Sequence, residues 1–544
     1  MPPFSRRLLS PRFLLGSLLS PRLLPGPLPV LGVLVALLGA AAVLVRLSSW
    51  HPQRRAAAIL LAVLVAACGL ALTLRDRRRA RRRLSSAHGS ARWGDPRRQL
   101  RSHGLILGRV RGGGLLRFDG EGHLLTLAPT GSGKGIAAVL PNLLDYPGSV
   151  LCTDVKGEAY AVSGRFRREV LGQTVAALDP FAVAGGTAAC NPLDLIDPAS
   201  DLAYDHARLI ASMLVVPEPT QHEPFWDEEA ASLIAGVVLH VACTAPAAER
   251  HLGTVRHFLT LGPADFSRLL AAMSRTEACH GLIRRAGQRA RQKDDRLLAG
   301  VLASTNRHTE FLDSPQLLRT VATSTFRLAD LKQWKLSIYL ILPPQHLRTH
   351  GRWLRLLTAA ALRVLTATSG HPVHRVLLLL DEFAALGRMQ SVEEAIAYAR
   401  GYGVSIWMLA QDLAQLRDLY PRSWQTLLAN VKVLQAFGTA DQFTAEHLSR
   451  LTGQATVRTQ GSNRTRGSTS AGNWWLPHQQ QSAAEHAGEA ARGLLLADEV
   501  RRLPAGRQLL FLGGEDSLTT ARVDYRTLRP LADRADPNPM HRRT

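Results

Sequence analysis

Cysteine is scarce in this chain: five in 544 residues, with no Cys-x-x-Cys pair and no histidine at metal-ligand spacing beside any of them. That pattern excludes a zinc framework. Cys68, Cys152, Cys190, Cys243 and Cys279 lie far apart in apolar segments, so the expectation is reduced thiols in a reducing cytoplasm. Acids are almost absent from the first 83 positions, where 14 arginines stand against Asp76 alone. More than half of the formal charge of +23 therefore belongs to that segment. The remaining excess permits a nucleic-acid partner without demanding one.

Two long apolar runs, 28–45 and 56–74, interrupt the arginine-rich start. Each is long enough to cross a bilayer core of about 30 Å as a helix. Arg6, Arg7, Arg12 and Arg22 precede the first, and a block from Arg75 to Arg83 follows the second, which predicts a hairpin with both ends in the cytoplasm. A second span followed by dense arginine argues against a cleaved signal peptide. The arginine block suits anionic headgroups.

Residues 84–122 read as a linker with short strands. From 123 onward the order strand, glycine-rich turn, helix, strand marks an α/β domain. Buried strands are predicted at 124–127, 150–154, 174–178, 337–342, 376–381, 405–410, 433–437 and 508–512, each a continuous apolar run suited to a sheet covered on both faces. Helical periodicity dominates 201–322, which reads as an all-α insertion between the two parts of the α/β domain, 123–200 and 323–544. A polar, low-complexity stretch at 456–488 reads as a flexible loop or long hairpin, with Trp474 and Trp475 inside it.

The segment Ala128-Pro129-Thr130-Gly131-Ser132-Gly133-Lys134-Gly135 follows a predicted strand and opens a predicted helix, the context that a phosphate-binding loop requires. Small residues let backbone N–H groups turn toward phosphate oxygens, the helix N-terminus adds its positive end, and Lys134 supplies a point charge. Ala128 replaces the usual first glycine, and Gly135 stands where a hydroxyl normally reaches Mg²⁺. Far downstream, five apolar residues end in Asp381 and Glu382, the form of a strand that delivers one carboxylate to Mg²⁺ and a second to the attacking water. Gln411 ends the next predicted strand and suits sensing of the γ-phosphate. Arg400 follows the intervening helix, where its charge also suits the helix dipole.

The ordered series APTGSGKGIAAVLPNLL (128–144), SVLCTDVKGEAY (149–160), NPLDLI (191–196), FWDEEA (225–230), SIYLILPPQHL (337–347), LLLLDEFAALG (377–387), QDLAQL (411–416) and GLLLADEVRRLP (493–504) resembles the TraG-like coupling proteins of conjugative type IV secretion. The resemblance implies a RecA-like P-loop NTPase domain with an all-α insertion, preceded by a two-helix transmembrane hairpin in the bacterial inner membrane, with the motor in the cytoplasm. It implies ATP and Mg²⁺ as cofactors, with Lys134 and Asp381 as nucleotide and metal residues. Glu382 becomes the catalytic acid, Gln411 the γ-phosphate sensor and Arg400 the arginine finger. The implied partners are a single-stranded DNA–relaxase complex or effector proteins, the components of a secretion channel, and further copies of the chain in a hexamer. Glycine after the P-loop lysine recurs in that family. A receptor for effector proteins with a regulatory nucleotide site is the alternative reading. A translocase on double-stranded DNA fits less well, because the chain has an all-α insertion and no C-terminal winged-helix pattern.

Overall fold

A computed structural model describes residues 86–110, 112–216, 224–333, 335–368, 370–468 and 479–541. The predicted spans 28–45 and 56–74, the arginine block up to Arg83, Cys68 and both Trp474 and Trp475 lie outside the described residues. Among the described residues no helix is long and apolar enough to cross a membrane.

The described strands are β1 (Leu105–Arg109), β2 (Leu115–Phe118), β3 (His123–Leu127), β4 (Val150–Asp154), β5 (Thr174–Leu178), β6 (Leu336–Ile341), β7 (Val376–Leu380), β8 (Val404–Ala410), β9 (Val431–Ala436), β10 (Gln454–Ser468), β11 (Gln479–Gly493), β12 (Arg507–Leu512) and β13 (Leu518–Ala521). Eleven of them form one sheet in the order β2-β1-β13-β12-β9-β3-β8-β7-β4-β6-β5. From β9 to β5 every pairing is parallel, and from β9 outward through β12, β13, β1 and β2 every pairing is antiparallel. All five residues of β7 are buried, because alternate side chains enter cores on opposite faces: Leu377 and Leu379 on one, Val376, Leu378 and Leu380 on the other.

A buried polar chain stitches the parallel half to the antiparallel extension. Trp407 donates to Thr126, and Thr126 to Gln435, at 2.8 and 2.7 Å; Gln435 donates to Gln508, and Gln508 to Thr520, each at 2.9 Å. These side chains belong to β8, β3, β9, β12 and β13, five neighbours in the sheet. Each link spares a buried polar group the penalty of standing unpaired.

Between β5 and β6 the described residues form helices only, from Ala203–Leu214 to Pro315–Val321. The acids of the 225–230 motif hold this region together. Asp227 accepts from Arg307 at 3.0 Å and pairs with His308 at 2.7 Å, while Glu229 pairs with Arg289 and with Lys293, the latter at 2.8 Å. One expectation is corrected here. Cys243 and Cys279 are not separate thiols but form a disulfide, since the helices Leu252–Leu259 and Pro263–Met273 fold the 36-residue interval back on itself. Cys152 and Cys190 are free and buried. Of the two forms expected for the polar stretch 456–488, a flexible loop or a long hairpin, the second is seen: it holds most of β10 and β11, which form their own two-stranded sheet.

Candidate functional site

The phosphate loop springs from the carboxyl end of β3. Ala128 is fully buried and its N–H donates to Ala410 O at 2.9 Å, while Phe437 N–H donates to Leu127 O at 2.9 Å, so the loop is anchored to the ends of both flanking strands. Gly131 and Gly133 have φ of +76° and +84°, a left-handed conformation that side chains resist. A Cβ at either position would meet nothing within 4 Å, so open space lies above the loop. Ser132 N–H closes a turn onto Pro129 O at 3.0 Å, and Ala137 N–H donates to Gly133 O at 2.9 Å where the helical stretch Gly135–Val139 begins. The Ser132 Oγ is buried without a hydrogen-bond partner.

The structure brings Lys134, Asp381, Glu382 and Gln411 together. Lys134 Nζ lies 3.0 Å from Asp381 Oδ1 and also pairs with Glu382 Oε1. Gln411 Nε2 lies 3.5 Å from Glu382 Oε2. β8 separates β3 from β7, so Gln411 rises between the loop and the acidic strand end. Glu382 adopts φ +51°, ψ +47°, an unfavourable conformation for a residue with a side chain, and its N–H donates to Asp381 Oδ1 at 3.0 Å. Thr153 Oγ1 fixes the Asp381 carbonyl at 2.9 Å. Burial acts to lower the Lys134 pKa, but Asp381 and Glu382 outweigh it and hold the ammonium above the ordinary lysine value. Burial pushes the Asp381 carboxyl up against the pull of Lys134.

Arg400 does not join this group. It lies in the turn Ala399–Tyr402 before β8, where its carbonyl accepts from Arg375 at 2.6 Å. Arg400, expected as the arginine finger, stands at the other end of β8, whose seven residues separate it from Gln411 by about 20 Å. The helix Gln390–Tyr398 carries the chain back to the amino ends of the strands, so sequence proximity to Glu382 does not become spatial proximity.

Three residues without an assigned role surround the loop. Arg522, after β13, donates to Ser132 O at 2.6 Å, to Arg507 O at 2.8 Å and to Phe437 O, with its guanidinium 4.4 Å from the Phe437 ring centre. Burial lowers its pKa to about 10. Asp154 ends β4, and burial pushes its carboxyl up to about 7 although the backbone N–H groups of Tyr160 and Lys156 oppose the shift. Glu158 Oε2 lies 4.0 Å from where a Cβ on Gly135 would stand. A cavity of about 510 Å³ opens beside Pro129, walled by Phe437, Gly438, Thr439, Ala440 and Leu503.

A strand–glycine loop–helix unit facing an acidic strand end across a parallel sheet defines the class: a P-loop nucleotide-binding protein of the RecA-like α/β type. Residues 94–541 match the family described as Type IV secretory system Conjugative DNA transfer, and the chain belongs to that family. It is 30% identical over 414 residues to the conjugal transfer protein TraG of Escherichia coli, a match that covers 68% of this chain and 65% of that one. It is 27% identical over 468 residues to protein VirD4 of Rhizobium radiobacter, which covers 82% and 65% respectively. The chain thus spans slightly under two thirds of the length of these two relatives. Among solved structures, the unbound bacterial conjugative coupling protein TrwB superposes with a TM-score of 0.59 at 17% identity, over 79% of this chain and 90% of that one. TrwB in complex with ADP and Mg²⁺ gives 0.59 at 16% identity, over 80% and 94%. These structures share the fold.

Proposed function

We propose that this chain is an ATP-hydrolysing coupling protein, anchored by a hairpin at 28–45 and 56–74 in the bacterial inner membrane. In this reading it passes a single-stranded DNA–relaxase complex, or effector proteins, to the components of a type IV secretion channel. The observation that carries the ATPase reading is the convergence of Lys134, Asp381, Glu382 and Gln411 at the carboxyl ends of β3, β7 and β8. Family membership carries the coupling role, and the TrwB complex with ADP and Mg²⁺ supports the choice of ligands.

The residues present fit a nucleotide. The space above Gly131 and Gly133 and the unpartnered Ser132 hydroxyl suit phosphate oxygens. Asp381, at the end of β7 and 3.0 Å from Lys134, suits Mg²⁺, an ion usually held by one or two carboxylates, water and substrate phosphates. Bound ATP with Mg²⁺ supplies the transferable phosphoryl group and the charge that polarises it. The chain then does four things. Loop amides and Lys134 hold the phosphates. Asp381 would hold the metal. Glu382, set by its left-handed turn, aligns the attacking water. Gln411, 3.5 Å from Glu382, would sense the γ-phosphate.

Turnover by the purified protein, with and without single-stranded DNA, tests this. Lys134→Ala should abolish nucleotide binding or hydrolysis, whereas Glu382→Gln should retain bound ATP and cut it slowly. Wild-type turnover in purified Lys134→Ala overturns the assignment. Nucleotide binding without hydrolysis in the wild-type protein instead favours the receptor with a regulatory site.

A further inference from the structure

The helix Pro344–Ala367 carries Arg348, Arg352 and Arg355 at positions i, i+4 and i+7, which places them on one face. That face meets the end of the helix Asp295–Thr309, the turn Glu310–Asp313 and the segment 385–387 around a cavity of about 690 Å³. This is the size of a small-ligand site.

Arg355 is the decisive group. It is 5% exposed, its Nε is buried without a hydrogen-bond partner, and no carboxylate pairs with it among the described residues. The Nδ1 of His350, on the same wall, is also buried and unpartnered. Arg307 lines the cavity while bound to Asp227, and Arg352 lines it while donating to the carbonyls of Arg307 and His308 at 3.0 and 3.1 Å. Two acids also face it. Asp313 is already held by Arg256 through bonds of 2.8 and 2.6 Å, and Glu310 is exposed at the rim. Among the described residues the interior is therefore cationic, and a buried guanidinium with no partner among them is costly unless an anion completes it.

We propose that this cavity is a phosphate-binding site, separate from the P-loop, whose occupancy is felt by Glu382. Several guanidinium groups converging on one space match the charge and oxygen geometry of phosphate better than the single charge of a carboxylate. The phosphate comes from a nucleic-acid backbone or from a free phosphate ligand. Its route to the catalytic turn is short. Ala385, Leu386 and Gly387 form one wall, Ala385 N–H donates to Glu382 O at 2.8 Å, and Gly351 of the arginine helix lies beside Ala385, a Cβ there standing 3.7 Å from Ala385 O, an ordinary van der Waals contact. The link to Glu382 rests on the ATPase reading above, whereas phosphate binding itself does not.

The test uses the full chain purified in detergent, with ADP and Mg²⁺ present to fill the P-loop. A fluorescent single-stranded oligo-dT and inorganic phosphate are the probes. Arg355→Met removes the buried charge; Arg348→Glu, at an exposed position, reverses a charge on the wall without threatening the fold. Each variant should weaken oligo-dT binding at least ten-fold and flatten the dependence of log K on log salt by about one ion. Displacement by millimolar phosphate shows that free phosphate shares the site, and resistance to it assigns the site to the strand. Wild-type affinity for both probes in folded Arg348→Glu overturns the proposal. For the link to Glu382, oligo-dT should alter ATP turnover at least three-fold in wild type and leave it unchanged in Arg348→Glu; an equal response in both overturns that part. Absence of basal turnover in wild type instead overturns the ATPase reading, and the binding titration still judges the site.

Discussion

Arg522 sits beneath the phosphate loop, its charge balanced by three backbone carbonyls and an aromatic face, and no carboxylate pairs with it among the described residues. Its bond to Ser132 O sets the peptide that lies between the two left-handed glycines. Hydrogen bonds to charged groups are worth about 1.5–3 kcal/mol, so Arg522→Met should weaken nucleotide binding by about ten-fold to a hundred-fold, with Arg522→Lys between. Calorimetric titration of ADP measures this, and unchanged affinity in a folded Arg522→Met would refute a role for Arg522 in shaping the loop. Lys134 and the glycines around it are legible in sequence because a phosphate loop is a local device, with strand, turn and helix contiguous. Arg522 is not, since it meets Ser132 across 390 residues and nothing in the residues around it marks that meeting. Asp154 and Glu158 fall inside a recognisable motif, yet only the crossing of β4 beside β7 shows that they border the site.

The strands predicted from continuous apolar runs are the ones buried on both faces, where hydrophobic demand is unbroken and boundaries follow composition. β1, β2 and β13 are short and carry polar residues, as suits the antiparallel margin, so their pairings had no clear pattern to announce them. β10 and β11 are polar over most of their length and pair with each other. The helical region between β5 and β6 is periodic and easily read, but its ionic fastening is not. Asp227 is 6% exposed and serves Arg307 and His308, consecutive residues in the last turn of the helix Asp295–Thr309. Asp227→Ala leaves both without their acceptor and should lower stability by about 3 kcal/mol, at the low end for a broken buried pair because Arg307 keeps some contact with water. Asp227→Asn, which preserves an acceptor, should lose less. Denaturant unfolding followed by circular dichroism compares them, and equal midpoints for wild type and Asp227→Ala would show that the cluster is not a fastening.

At the scale of the molecule, the distance between Arg400 and its own Lys134 confines any part it plays in phosphoryl transfer to a neighbouring copy. We propose that it does so as an arginine finger in a ring. Such fingers accelerate transfer by about 10³–10⁵, so hydrolysis should rise with protein concentration as subunits meet. Arg400→Ala should flatten that dependence and spare nucleotide binding. Mixing Arg400→Ala with Lys134→Ala subunits rebuilds interfaces that pair an intact loop with an intact arginine, and activity should return. No recovery under conditions shown to form mixed rings would reject action in trans.

The place of β3 in the sheet has a consequence for the order in which the protein is made. β3 lies between β8 and β9, and Thr126 finds its partners Trp407 and Gln435 only 281 and 309 residues later in the chain. At about 5–20 residues per second, the ribosome needs about 15–60 s after synthesising β3 before both flanking strands exist. Throughout that interval the apolar strand that roots the phosphate loop is without its neighbours, while the arginine-rich start and both apolar runs have long since left the ribosome. If the hairpin proposed at 28–45 and 56–74 enters a bilayer as it is made, its insertion precedes assembly of the nucleotide site.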